Sequence, residues 1–427
     1  MIDRHTAPNI TELSNPVLLK STTTKLDNGI EITVLNDPNQ EVFKMDVVFK
    51  SGSINQSQAL VANTTMNMLC NGTTKHDSNR IAEIFDYYGA YVDTNCGFGY
   101  SEISMIAATK YAKNTIPLIA EMIQESIFPE KEIEIFLRNK YQEFLVLNEK
   151  TSYLALKKFT QLMFGENNVY TNPINKDDFK KISSELLKTY YNNHIQNSNF
   201  KIYLSGKISE DILKIIKHVF SYDCKDNPII DKGIKLSPSI SGIYSVNKKN
   251  TVQTSIRIGK KGVQLCDDEY PEFQLLNTIL GGYFGSRLMN TIREDKGYTY
   301  GINSLNVSLP DTSYWCIVTD VDNKYTEDTI ALIKKEIDIL KTTLIDKDEL
   351  NNVKRYMHGS ILREIDGVFS QADSLKNKQK FGLDNSIYKN MIEKIKKCSS
   401  EKLLYLAKKH LNFSSMYIVK AQAFTSD

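Results

Sequence analysis

The pattern of hydrophobic and polar residues predicts strands and helices that alternate along the chain. In the first half, a period of two predicts strands at 30–35, 43–49, 91–96, 102–108 and 200–204. A period near 3.6 predicts helices at 59–69, 79–87, 116–127, 133–147 and 210–220. Strands separated by helices, with several helices in succession, indicate a sheet that is covered by helices on one face.

The second half of the chain repeats features of the first. A Ser-Ser-Glu segment at 183–185 recurs at 399–401, an offset of 216 residues, and each copy opens a helical stretch. Gly52, at the end of a predicted strand, has a counterpart 210 residues later in Gly262. An offset of half the chain indicates a duplication rather than a solenoid. We therefore predict an α+β fold of two homologous domains, each a mostly antiparallel sheet of about six strands packed against helices.

The domain boundaries follow from composition. Residues 223–242 contain prolines, glycines and serines between two periodic regions, which is typical of a linker. The predicted organisation is an N-terminal arm at 1–20, a first domain at 21–222, this linker, and a second domain at 243–427.

Composition and charge exclude several classes of protein. The chain has 427 residues, 41% of them hydrophobic and 24% charged, which excludes a wholly disordered chain. The net charge of +2 gives no electrostatic reason to expect a nucleic acid or an anionic membrane as a partner. No apolar stretch approaches the roughly 18–20 residues of a membrane span, and the N-terminus lacks the apolar region of a secretory signal. The six cysteines form no C-x-x-C motif, so we expect reduced thiols and a cytoplasmic protein.

One motif is a segment bounded by a Gly-Ser and a Gly-Thr dipeptide. Gly52-Ser53 and Gly72-Thr73 flank a predicted helix, and this arrangement resembles the start of the pitrilysin/insulinase family of zinc peptidases, the inverzincins, which includes mitochondrial processing peptidase. In that family the helix carries H-x-x-E-H. The two histidines bind zinc from one helix face, and the glutamate acts as general base on the zinc-bound water.

This chain departs from the motif at each essential position. The histidine positions fall on Asn63 and Asn67, and the glutamate position falls on Met66. Asparagine is a poor zinc ligand beside imidazole, and methionine cannot accept a proton. Glu143, 76 residues after Asn67, matches the family spacing for the last ligand. One carboxylate does not hold a catalytic zinc, so we expect no metal site here and ordinary packing or surface roles for these four residues.

A second motif lies at 278–301, where the sequence reads TILGGYFGSRLMNTIREDKGYTYG. It is similar to the second-domain signature of the same family, a Gly-rich stretch, S-R-L and then R-E-x-x-G-x-x-Y, with Arg293 and Tyr300 seven residues apart. In the family this Arg/Tyr pair binds substrate near the scissile bond. A guanidinium and a phenol can both donate hydrogen bonds to a peptide carbonyl and to the oxyanion formed from it. Considered locally, Arg293 could instead form a surface ion pair with Glu294 or Asp295.

The resemblance implies a divided active site. In some bacterial members of the family one chain keeps H-x-x-E-H and another keeps the Arg/Tyr pair. By this resemblance, the chain is the subunit without zinc of a heterodimeric metallopeptidase, inactive alone, with zinc and H-x-x-E-H in its partner and peptides or unfolded segments as substrates. The sequence does not decide whether this chain also forms a homodimer. The alternative is a catalytically inactive scaffold or peptide-binding protein of the same fold; a self-sufficient peptidase is favoured only by Glu143.

Overall fold

The structure is a computed structural model that describes residues 14–171, 173–196, 200–223 and 234–423. Residues 1–13 of the predicted arm and 224–233 of the predicted linker lie outside these ranges. Within the described residues, no helix combines the length and the apolar character that crossing a membrane requires.

The first half of the chain builds a mixed sheet with the strand order β1-β2-β6-β3-β5-β4. Only β2 and β6 pair in parallel; the other neighbouring strands of this sheet are antiparallel. Its strands are β1 (Thr22–Lys25), β2 (Glu31–Asn36), β3 (Val42–Phe49), β4 (Tyr91–Cys96), β5 (Ser101–Ala108) and β6 (Phe200–Gly206). The helices of this half are α1 (Val61–Met68), α2 (Ser78–Tyr87), α3 (Ala112–Glu125), α4 (Glu130–Glu149), α5 (Thr151–Phe164), α6 (Ser184–His194) and α7 (Glu210–Val219).

The second half builds a sheet with the order β7-β11-β8-β10-β9, in which only β7 and β11 are parallel. Its strands are β7 (Gly242–Asn247), β8 (Gln253–Lys261), β9 (Ile302–Ser308), β10 (Ser313–Asp322) and β11 (Tyr417–Gln422). Its helices are α8 (Tyr270–Asn277), α9 (Thr326–Thr342), α10 (Lys347–Glu364), α11 (Gly367–Gln379), α12 (Ile387–Lys397) and α13 (Ser400–His410). Two π-helical segments, Thr278–Gly282 and Met289–Asp295, flank the Gly-rich loop. Short 3₁₀ turns lie at Ser53–Asn55, Thr109–Tyr111, Val169–Thr171, Lys176–Lys181, Asn323–Tyr325 and Phe413–Ser415.

The predicted fold of two α+β units with mostly antiparallel sheets is confirmed. The described second sheet has five strands rather than six. The pattern of hydrophobic residues did not predict β1, because its four residues, Thr-Thr-Thr-Lys, are polar and exposed. This strand is held by its antiparallel pairing with β2 rather than by burial of an apolar face.

Each sheet packs one of its faces against a helix that comes from the other half of the chain. On the first sheet, Val368, Ala372 and Leu375 of α11 cover Leu35 of β2. On the second sheet, α5 packs against β8 and β11 through an apolar cluster that includes Phe159, Phe164, Tyr417 and Val419. This exchange of helices ties the two halves together.

The contact of α11 with the first sheet also contains a buried ion cluster. The ammonium of Lys376, whose side chain is 5% exposed, lies 3.1 Å from Asp46, 3.3 Å from Glu102 and 3.2 Å from Asp373. Burial lowers the pKa of Lys376, but the attraction of the three carboxylates outweighs burial and raises the pKa above its ordinary value. Lys44 of β3 also lies 3.5 Å from Asp46 and 2.5 Å from Asp373, so two lysines and three carboxylates share this contact between α11 and the first sheet.

Candidate functional site

The helix at the degenerate zinc motif is α1. Met66 is fully buried in the core of the first half, while Asn63 and Asn67 are partly exposed. The Nδ2 atom of Asn67 donates a hydrogen bond to the backbone carbonyl of Asn63 at 2.8 Å. The helical spacing of a ligand pair is therefore preserved, but the amide of Asn67 bonds to the helix backbone.

A cavity of about 320 Å³ opens beside α1. It is lined by Asn63 from α1 and by Glu143 from α4, so the structure brings two of the predicted positions to one site. Met66 and Asn67 are not among its lining residues. Its apolar walls are formed by Leu60, Phe98, Phe144, Leu147, Ile174 and Phe179.

The residues around this cavity do not fit a zinc ion. Glu143 is more than half exposed, and its Oε2 atom accepts a hydrogen bond from the ammonium of Lys140 at 2.8 Å. The side-chain amide of Asn63 is a weak zinc ligand. Met66 lies in the core and does not line the cavity. In the described ranges, no group of three or more His, Cys, Asp and Glu side chains could hold a metal ion. We therefore derive no metal chemistry from the first half of this chain.

The structure brings Arg293 and Tyr300 together. The guanidinium carbon of Arg293 lies over the Tyr300 ring, 5.3 Å from its centroid, and over the Phe284 ring at 4.7 Å. The local ion pair considered from the sequence is also present, since Arg293 Nε lies 3.4 Å from Glu294 Oε1. Tyr300 is 92% exposed and Phe284 is 64% exposed. We call the three residues Phe284, Arg293 and Tyr300 the arginine clamp.

The segment between Arg293 and Tyr300 is fixed by its own contacts. Gly297 takes a left-handed φ of 65° and its N–H donates to the Arg293 carbonyl at 3.0 Å, which ends the π-helical segment. Tyr298 stacks on Tyr325 with 4.0 Å between ring centroids. The hydroxyl of Thr299 donates to the Asp320 carbonyl of β10 at 2.8 Å. These anchors place the Tyr300 side chain in solvent just before β9.

The Ser-Arg-Leu part of the signature has a structural role. Arg287 makes two hydrogen bonds to Glu349 of α10, from Nε at 2.8 Å and from Nη2 at 2.7 Å. Burial opposes the charged form of Arg287, but the hydrogen bonds to Glu349 are the largest influence and raise its pKa. Gly281 lies so close to Ser304 of β9 that a Cβ atom would come within 2.8 Å of the serine side chain. The loop between these anchors carries Phe284.

Sequence reasoning missed Phe284 as a member of this site. The signal that could have found it is a large apolar side chain set among the glycines 281, 282 and 285 in an otherwise flexible stretch. It also missed the aromatic walls of the cavity, because Phe98, Phe144 and Phe179 come from separate parts of the chain.

Comparison with known proteins bears on both halves. Residues 181–357 match the family model described as "Peptidase M16 inactive domain". A Bacillus subtilis relative called "Uncharacterized zinc protease YmxG" is 23% identical over 348 residues, which cover 81% of this chain and 84% of the relative.

Two solved structures show the same fold. The crystal structure of a peptidase M16 inactive domain from Pseudomonas fluorescens superimposes with a TM-score of 0.86 at 22% identity, over 96% of this chain and 100% of that chain. The periplasmic protease PqqL from Escherichia coli gives a TM-score of 0.79 at 14% identity, over 97% of this chain but 47% of that chain. Together with the family match, these results confirm the resemblance to the zinc-peptidase family that the sequence motifs indicated.

Proposed function

We propose that this chain, which belongs to the M16 peptidase family, is the subunit without zinc of a two-chain metallopeptidase. In this proposal a partner chain carries H-x-x-E-H and its zinc. This chain contributes Arg293 and Tyr300 to the binding of peptides or unfolded segments, and it has no peptidase activity alone.

The observation that carries the proposal is the arginine clamp. A guanidinium and a phenol stand next to each other on a rigid segment, and the tyrosine is almost fully exposed. Such an arrangement contributes little to the stability of a monomer, because exposed charged and aromatic contacts are weak. It is suited to a surface that another chain or a substrate covers.

The first half of the chain supports the same proposal because it lacks the residues that would bind zinc and activate water. Asn63, Met66 and Asn67 replace the metal ligands and the general base, so hydrolysis requires these groups from another chain. The share of PqqL that this chain covers, 47%, is consistent with a chain that supplies about half of a larger peptidase.

The chemistry of this chain is then the recognition of a peptide carbonyl. The N–H groups of Arg293 and the hydroxyl of Tyr300 donate hydrogen bonds to the substrate carbonyl and more strongly to the oxyanion that develops from it. Glu294 beside Arg293 balances the guanidinium charge, which favours a neutral carbonyl over a carboxylate as the resting acceptor.

The test begins with purification of the protein from its host under gentle conditions, followed by measurement of the native mass. We expect a complex with a second chain that contains zinc and cleaves unfolded peptides. In that complex, Arg293→Ala should lower kcat/KM on the order of a hundredfold, because one oxyanion donor is removed. Zinc content should stay unchanged.

The matched control is Arg363→Ala, which removes an exposed arginine of α10 that donates to Ser360. This variant should keep full activity. A complex in which Arg293→Ala is as active as Arg363→Ala would refute the assigned role, and a monomer or homodimer without peptidase activity would refute the two-chain proposal.

A second candidate function is the binding of peptides without cleavage. The observation that favours it is the cavity, because β4 is the last strand of its sheet and the residues that follow it, Gly97 and Phe98, line the cavity. An extended peptide that pairs with a sheet edge can place a side chain in such a pocket. Peptide binding by the isolated chain that Phe144→Ala weakens, with no zinc partner in the host, would favour this candidate.

A further inference from the structure

We propose that Phe284 is a positioning residue for Arg293. Its ring, together with that of Tyr300, restricts the guanidinium so that its terminal N–H groups face a substrate carbonyl while Nε stays beside Glu294. The catalytic consequence rests on the proposed function, but the positioning itself is a property of this chain alone.

The position of Phe284 is set by its loop rather than by burial of its ring. The preceding residue, Tyr283, packs against Tyr356 of α10 with 4.8 Å between ring centroids. On the other side, Ser286 N donates to the Tyr283 carbonyl at 3.1 Å, and Asn290 Nδ2 donates to the Gly285 carbonyl at 3.3 Å. With both sides of the loop anchored, the Phe284 side chain projects into solvent, where it is 64% exposed.

The exposed ring of Phe284 has a cationic partner. The partner here is the Arg293 guanidinium, whose central carbon lies 4.7 Å from the Phe284 ring centroid, closer than the 5.3 Å to Tyr300. Arginine over an aromatic face is a favourable cation–π contact. The clamp therefore uses Phe284 at least as much as the tyrosine of the family signature.

Two acidic residues follow Arg293 directly and compete for its charge. Glu294 lies 3.4 Å from Arg293 Nε, and Asp295 is the next residue along the chain. An arginine side chain has many rotamers, and its attraction to these carboxylates would draw it along the surface of the π-helical segment. The two rings lie against the guanidinium and restrict that motion, while Arg293 Nε stays 3.4 Å from Glu294 Oε1.

Nuclear magnetic resonance of the isolated full chain tests the positioning directly. In a sample labelled only at arginine, the Arg293 Nε–H signal is assigned by its loss in Arg293→Lys. We expect a ring-current shift of this signal that Phe284→Tyr preserves and that Phe284→Leu reduces. The matched control is Tyr405→Leu, because Tyr405 is a half-exposed ring of α13 that lies near Lys402 and Lys409 instead of Arg293. An Arg293 signal that does not move in Phe284→Leu overturns the proposal.

Kinetics of the zinc-containing complex test the consequence. Phe284→Leu should lower kcat about two- to fivefold, as expected for the loss of one exposed cation–π contact, and Phe284→Tyr should restore it. In an Arg293→Ala background the same substitution should have no further effect, because the residue that it positions is gone. Additive losses in the double variant overturn the positioning role. A shifted Arg293 signal in a chain that forms no active complex would refute the proposed function and leave the positioning intact.

Discussion

Helices α1 and α8 follow equivalent strands of the two sheets, but they are held in different ways. The residue before α1, Leu60, has a left-handed φ of 76° and makes no side-chain cap hydrogen bond. The residue before α8, Glu269, accepts hydrogen bonds from Lys402 at 3.3 Å, Lys409 at 2.7 Å and His410 at 3.3 Å. The start of α8 is therefore fixed to α13, a distant helix, whereas the start of α1 is held by a nearby residue, Gln56, whose Oε1 accepts a hydrogen bond from the Ala62 N–H at 3.2 Å.

The same contrast appears inside the helices. The repeat offset of 210 places Asn67 opposite Asn277. Asn277 is buried, accepts a hydrogen bond from Trp315 Nε1 at 2.7 Å and donates to the Ser304 carbonyl at 3.0 Å. Asn67 is partly exposed and donates to the carbonyl of Asn63, one turn earlier in its own helix. The contacts of Asn277 therefore help to hold the helix that leads into the Gly-rich loop and the arginine clamp.

The largest expected effect on stability comes from Met66→Glu, which places the glutamate of the H-x-x-E-H motif in α1. Met66 is fully buried among apolar side chains, so Met66→Glu would place a carboxyl group without a described partner in the core. We expect a loss on the order of 4 kcal/mol in the free energy of unfolding at pH 7, since buried glutamates shift their pKa by several units.

Urea unfolding would measure this loss, with Met66→Leu as the volume-conserving control that should cost less than about 1.5 kcal/mol. If Met66→Glu is as stable as Met66→Leu, the core around α1 accommodates a carboxyl group at position 66. The contrast drawn between α1 and α8 would then be wrong.

The next largest effect is the difference in stability between alanine variants of the two equivalent asparagines, Asn277 and Asn67. Asn277→Ala leaves the indole N–H of Trp315 with only the more distant Ser304 hydroxyl, at 3.2 Å, and should cost about 2 kcal/mol. Asn67→Ala removes one bond to a helix carbonyl at a partly exposed position and should cost less than about 0.5 kcal/mol. Thermal or urea unfolding of the pair measures the difference, and equal losses would contradict the asymmetry.

The smallest effect concerns pH and Glu269. Burial raises the pKa of this carboxyl, but hydrogen bonds from Lys409, His410 and Lys402 outweigh it and lower the pKa to about 2. A lowered carboxyl pKa contributes stability above the ordinary value near 4.5, and that contribution is lost as the pH falls toward 2. After allowance for solvent screening, we expect about 1 kcal/mol.

Glu269→Gln should therefore be less stable than the parent at pH 7 and equally stable near pH 2. Unfolding by urea at both values of pH measures this, and a variant whose deficit is the same at pH 2 would show that the carboxylate charge is not responsible. The control is Glu327→Gln, since Glu327 is a more exposed acid whose described ion pair is with Lys420.

Much of the fold could be predicted from the sequence, because its strands and helices carry strong periodic patterns. The predicted strand at 43–49 is observed as Val42–Phe49, and the predicted helix at 133–147 lies within Glu130–Glu149. The exchange of α5 and α11 could not be predicted, because an amphipathic pattern shows that a helix has a buried face but not which sheet covers it.

The candidate site could be predicted only in part. The seven-residue spacing identified Arg293 and Tyr300, and the structure places them in contact. Their assigned role stays a prediction. Phe284 could not be ranked above other aromatic residues, because its importance depends on how the π-helical segment after the loop places Arg293 over its ring.

The exchange of helices also has a consequence for biosynthesis. The strands of the first sheet are complete once the ribosome has made Gly206, but the helix that covers Leu35 begins about 160 residues later, at Gly367. At ordinary rates of translation, this face of the sheet and the acids Asp46 and Glu102 wait roughly ten to thirty seconds for Val368 and Lys376. A nascent chain of this protein is therefore exposed to chaperones for longer than its simple repeat of two units would suggest.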